Sequence, residues 1–143
     1  MIFGSKREAT MYIRTIISAC ALIILPSIAL ADPTGTFKVV GSNADDGSKY
    51  TGTVKVTRTG ATYKVVWNIG GTESVGTGLG SRFEGRDIAT GHATTDDTGI
   101  SVGYINKDSY GIAVYYEQPN GNWEGVWTYG GSKGVTNETW TPE

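Results

Sequence analysis

Tyr63-Lys64-Val65-Val66-Trp67-Asn68-Ile69-Gly70-Gly71 decides how this chain folds. Tyr63, Val65, Trp67 and Ile69 share one side of an extended backbone, while Lys64 and Asn68 lie opposite. Successive side chains of a strand point to opposite faces, so this alternation marks a strand with one buried face. Gly70-Gly71 follows, and glycine accepts the positive φ of a tight hairpin turn.

Working outward, the same grammar recurs. Short runs rich in Thr, Val, Ile, Tyr and Trp are separated by turn residues, and no long segment has apolar residues at helical spacing. The expected strands are 36–41, 50–58, 61–69, 73–80, 83–89, 99–106, 110–118, 122–129 and 134–141. Asn43-Ala44-Asp45-Asp46-Gly47-Ser48, Thr59-Gly60, Pro119-Asn120-Gly121 and Gly130-Gly131 supply further turns. Val54 and Val56 oppose Thr53, Lys55 and Thr57. Trp123, Trp127 and Tyr129 share a side, with Gly125 leaving room between them. Ile112, Val114 and Tyr116 form another apolar face. One apolar face per strand suits a sheet closed around one core. The expected fold is all-β, an antiparallel up-and-down barrel of about eight strands.

A shift of 60 residues lays Tyr63–Gly71 over Trp123–Gly131. Either barrel hairpins simply share composition, or a four-strand half is duplicated, giving eight strands plus an edge or broken strand. Ser81 to Gly99 stands apart. Arg82, Glu84, Arg86, Asp87, His92, Asp96 and Asp97 crowd there, which predicts a weak strand followed by an exposed, solvated loop.

Residues 1–31 differ in kind from 32–143. Lys6, Arg7 and Arg14 precede an uncharged, largely apolar run from Thr15 that ends in Ala29-Leu30-Ala31. A positive start, an apolar stretch and a small-x-small site make a secretion signal, with Met11 as an alternative start. The run is shorter than the roughly 20 apolar residues of a spanning helix and is interrupted by Ser18, Pro26 and Ser27. Ile17-Ser18-Ala19-Cys20 resembles a lipobox, but a longer apolar run follows it. The reading is an exported chain, periplasmic or secreted, whose single domain is 32–143 and keeps no membrane span.

Beyond residue 31 lie 20 of the 21 glycines, nine of the 12 basic residues and 13 of the 14 acidic ones. An acidic balance speaks against a nucleic-acid partner, which wants a basic face. The one cysteine, Cys20, falls in the leader, so the domain carries no disulfide.

The enzyme case is thin. His92 is the only histidine, and no G-x-S-x-G motif accompanies it. Glu84, Asp87, His92, Asp96 and Asp97 match no ligand spacing, and Asn43–Gly47 lacks the alternating acids of a calcium loop. Asn137-Glu138-Thr139 fits a glycosylation acceptor on a strand. The expectation is a non-enzymatic binding protein with neither cofactor nor metal.

Aromatic residues carry more information. Trp67, Trp123, Trp127, Trp140, Tyr50, Tyr63, Tyr104, Tyr110, Tyr115, Tyr116 and Tyr129 either fill a small barrel or line a cup for one small apolar or planar ligand. If a cup exists, Tyr63, Trp67, Trp123 and Trp127 are the candidate ligand-binding residues. Tyr115-Tyr116 places one ring on each side of its strand, so at least one is outside, where a tyrosine often marks a protein contact.

Gly35-Thr36-Phe37-Lys38-Val39, Asp46-Gly47-Ser48-Lys49-Tyr50-Thr51-Gly52-Thr53-Val54, Tyr63–Gly71 and Gly111-Ile112-Ala113-Val114-Tyr115 running into Asn122-Trp123-Glu124-Gly125-Val126-Trp127 resemble a family of small exported bacterial proteins often labelled fibronectin-binding. The resemblance covers most of Thr34 to Pro142, although Ser81–Gly99 is longer here. It implies an adhesin-like partner such as fibronectin and brings no contact residues with it. A fainter likeness, in Gly35-Thr36 and Thr139-Trp140, is to avidin-type and lipocalin-type barrels. No polar ring of biotin contacts is recognisable.

Overall fold

The structure, a computed structural model, describes residues 31–143; the expected secretion signal, up to residue 30, and Cys20 lie outside the described residues. Nine strands follow one another: β1 (Gly35–Ser42), β2 (Lys49–Thr59), β3 (Thr62–Ile69), β4 (Thr72–Glu84), β5 (Asp87–Gly91), β6 (Gly99–Asn106), β7 (Ser109–Glu117), β8 (Trp123–Tyr129) and β9 (Thr136–Pro142). All pairings are antiparallel, in the order β3-β2-β1-β9-β8-β7-β6-β4-β5, and β3 pairs with β4 to close the ring. The fold is a closed eight-stranded barrel with one additional strand.

The additional strand arises because β4 is too long for its neighbours. Val75–Ser81 pair with β6 on one edge. On the other edge, Thr72–Gly78 pair with β3 and Gly80–Glu84 with β5. The single strand expected over 83–89 is therefore replaced by a hairpin, β4 turning at Gly85-Arg86 into β5. Gly85 sits at φ 66°, a conformation open to glycine and strained for other residues. The two four-strand sets, β1–β4 and β6–β9, flank β5 in the chain.

Alternation sets the inside. Phe37 and Val39 of β1, Val54 and Val56 of β2, and Tyr63, Val65 and Trp67 of β3 are buried, as are Ile100, Val102, Ala113, Tyr115, Trp123 and Trp140. Strand β7 reverses its expected face. Its inward residues are Gly111, Ala113 and Tyr115, while Ile112 and Tyr116 are 63% and 52% exposed. The small residues go inside because Tyr104 and Tyr115 already fill that sector. The backbone at Gly111 carries the Tyr104 ring, and the space over Gly125 holds the Tyr115 ring rather than a ligand.

One end of the barrel is closed. Asp97 is fully buried there. It accepts from the Tyr63 hydroxyl at 2.5 Å, from Thr94 N at 2.7 Å and from Thr94 Oγ1 at 3.1 Å, with Arg82 Nη1 3.6 Å away. The loop expected to be solvated thus contributes a buried plug. A Cβ at Gly80 would collide with the Asp97 carboxylate, so glycine at 80 is what admits it. Trp123 and Pro33 are buried at the same end.

Candidate functional site

The opposite end is open. A cavity of about 390 Å³ enters the barrel there, within the range of roughly 300–1,000 Å³ common for ligand pockets. Its walls include Tyr50 of β2, Trp67 and Ile69 of β3, Tyr104 of β6, Tyr115 of β7, Trp127 and Tyr129 of β8 and Glu138 of β9. Asn43, Thr72, Ser74, Asn106 and Ser109 add hydrogen-bonding groups from the strand ends and loops of the mouth.

Glu138 anchors the site. Strand alternation puts Glu138 and Trp140 on the same inner face of β9, and Glu138 is only 4% exposed. Its Oε1 accepts from Trp67 Nε1 at 2.9 Å, Tyr115 Oη at 2.8 Å and Trp140 Nε1 at 2.6 Å. Its Oε2 accepts from the Tyr50 hydroxyl at 2.5 Å. An indole N–H can only donate, so the carboxyl oxygen between two of them acts purely as acceptor. These bonds hold four side chains from β2, β3, β7 and β9 in one constellation.

The carboxylate acts on its donors in turn. Burial first, and then the Glu138 charge, push the Tyr50 and Tyr115 hydroxyls well above the usual tyrosine value. The same two causes push Tyr104 up to about 12. All three rings therefore stay neutral donors across the physiological range.

The rings pack in inclined pairs. Trp67 and Tyr104 have centroids 5.7 Å apart at 57°, and Tyr50 and Trp127 are 6.2 Å apart at 62°. Tyr129 lies 6.3 Å from Trp127 at 30°. Beneath them Tyr115 stacks on Trp140 at 3.8 Å. The Tyr50 ring occupies the place where a Cβ at Gly41 would stand. The Trp127 indole N–H is buried in the wall without a hydrogen-bond partner.

Of the four residues expected to bind a ligand, the fold brings Trp67 and Trp127 together around the cavity. Tyr63 and Trp123 lie outside its lining: Tyr63 bonds the Asp97 plug, and Trp123 borders a second cavity, of about 330 Å³, by Phe37 and Glu117. In the sequence Glu138 stands out only as part of the triplet Asn137-Glu138-Thr139, a glycosylation acceptor. Its signal was available, because Trp140 inward at a spacing of two puts a charged residue inside the barrel. The polar residues of 81–99 do not assemble a centre. His92 and Asp96 are exposed, and among the described residues no group of three or more His, Cys, Asp or Glu is placed to hold a metal.

Comparison with protein-family models, with curated proteins and with solved structures finds no match.

Proposed function

We propose that this chain is an exported, non-enzymatic binding barrel that holds one small ligand in its open-end cavity. A single observation carries the reading: a barrel plugged at one end by Asp97 keeps, at the other, a cavity of about 390 Å³ with six aromatic rings in its walls. Large apolar walls with a few fixed polar groups are the usual make-up of a ligand pocket. The leader pattern of residues 1–31 supports export to the periplasm or the outside. Native mass spectrometry of residues 32–143, purified under mild conditions, is expected to show a co-purifying or titratable compound that quenches tryptophan emission and raises the melting temperature. A chain that stays at its bare mass and shows no quenching with any member of a small-molecule panel overturns the reading.

A second reading has its own observation. The outward residues Leu79, Ile105, Tyr110, Ile112, Tyr116 and Val126 of β4, β6, β7 and β8 are large, apolar and 45% or more exposed. Such a surface suits contact with another protein, and the family resemblance suggests an extracellular one such as fibronectin. Residues 32–143 are then expected to bind immobilised fibronectin saturably, and Ile112→Lys to weaken that binding about tenfold or more. Binding that disappears at moderate salt, or that Ile112→Lys leaves unchanged, excludes this surface.

A further inference from the structure

The small-ligand reading leaves the chemistry of the ligand open, and the cavity floor narrows it. Glu138 is buried and receives four hydrogen bonds, two of them from indole N–H groups that can only donate. The donors turn the positive ends of their dipoles toward its two oxygens. Among the described residues no Lys, Arg or His lies within ion-pair distance of it; the pairs present are Arg58–Asp32, Arg82–Glu84 and Arg82–Asp97, on other parts of the barrel. A buried anion held by dipoles but matched by no cation leaves a negative potential in the space beside it. A low-dielectric wall weakens that potential little.

The mouth does not cancel this field. Lys49, Lys107 and Lys133 stand near it among Asp45, Asp46, Glu73 and Asp108, all seven exposed to water and screened by salt. The sign inside the cavity is therefore set by Glu138.

The walls agree with the floor. Aromatic faces carry negative quadrupole charge and attract ammonium groups within about 6 Å of the ring centre. Tyr50, Trp67, Tyr104, Trp127 and Tyr129 come from four strands around the barrel. Two of their pairs are inclined at 57° and 62°. The members of each pair touch, so a guest sits in the space that the five rings surround and not between the two rings of a pair; rings on several sides suit a compact, rounded head group. The neutral Asn, Ser and Thr groups of the mouth can serve a hydroxyl or amide at the other end of the same molecule.

We infer that the cavity selects a small organic cation of the ammonium type, boxed by these five rings above Glu138. The inference rests on the small-ligand reading, and it adds the sign of the ligand's charge.

The test compares choline with its neutral carbon isostere, in which a tert-butyl group replaces the trimethylammonium. Both are titrated into residues 32–143, followed by tryptophan emission and by calorimetry. Choline is expected to bind about tenfold tighter or more than the isostere, since shape and hydrophobic area are the same and only the charge differs. In Glu138→Gln, with its fold checked by near-ultraviolet circular dichroism, the preference is expected to fall below about threefold. The wild-type comparison stands by itself if that variant does not fold. Equal binding of the two probes overturns the cationic assignment and leaves the small-ligand reading standing. Binding of neither also overturns it, and the mass-spectrometric search then judges the broader reading separately. An undiminished preference in folded Glu138→Gln would remove Glu138 as the source of selectivity, and with it this inference.

Discussion

Trp140 donates its indole N–H to Glu138, two residues earlier on the same strand, at 2.6 Å. The pair makes β9 the hinge of the open end, because the carboxylate then gathers Trp67, Tyr115 and Tyr50 from three other strands. Glu138→Ala strands three buried donors and the half-buried Tyr50 hydroxyl, each buried one at a cost of about 1–3 kcal/mol when unpaired. Water entering from the cavity offsets part of that. The expected loss is about 3 kcal/mol or more by urea unfolding, and Glu138→Gln, which keeps one acceptor, loses less. A loss below about 0.5 kcal/mol for the alanine variant contradicts the organising role.

Glycines within the strands differ in what they tolerate. A Cβ at Gly41 would enter the Tyr50 ring, which its bond to Glu138 holds in place, whereas a Cβ at Gly103 meets open space outside. Gly41→Ala is expected to destabilise by about 1–3 kcal/mol through overpacking. Gly103→Ala is expected to be neutral or stabilising by up to about 1 kcal/mol, since glycine costs entropy within a strand. Denaturation midpoints of the two variants check this, and equal effects would contradict it.

Strong alkali is expected to unfold the barrel. Tyr50, Tyr104 and Tyr115 are raised in the folded state above the ordinary tyrosine value of 10.0. Below that value both states hold the phenol proton and these groups give no pH dependence. Above it the unfolded chain loses protons that the folded chain keeps, so stability falls by up to about 1.4 kcal/mol per pH unit for each group. For Tyr104 the fall levels off near pH 12. Phenolate absorbance and circular dichroism, followed from pH 9 upward, should show these groups ionising together with unfolding. Their ionisation near pH 10 in a still-folded chain is the opposing result.

The closed end should answer separately. Tyr63→Phe removes one donor from Asp97 while Thr94 still supplies two. The expected cost is about 1 kcal/mol, with ligand-induced quenching at the open end unchanged. Altered quenching would show that the two ends are coupled.

Much of this fold was legible in the sequence, and the reasons are local. Tyr63, Val65 and Trp67 alternate so regularly that their face was settled before any neighbour was known, and Gly70-Gly71, at φ 60° and 78°, makes the expected turn. Strand β7 misled because both of its faces are apolar: Ile112, Val114 and Tyr116 are larger than Gly111 and Ala113, and only the rings of Tyr104 and Tyr115 explain why the small residues go inside. Asp97 read as solvated because its donors, Tyr63 and Thr94, reach it only once β3 and the segment after β5 meet. Glu138 was hidden for the same reason. Its donors lie up to 88 residues away in sequence, so its burial has no local signature beyond the parity with Trp140.

Ring closure has a consequence for how this chain meets proteases. A protease binds its substrate as an extended segment, commonly by adding it to its own sheet edge. Around the ring, from 35 to 81 and from 99 to 142, the strands are paired with neighbours on both sides over most of their length, so cutting them must wait for the whole barrel to open. Strand β5 ends the strand order and leaves its outer edge unpaired, next to an exposed His92. In a domain without a disulfide, nicking among the described residues is thus expected in the turns and in the stretch from Arg82 to Asp96. Clipping there would spare the eight-stranded ring and the Glu138 constellation within it.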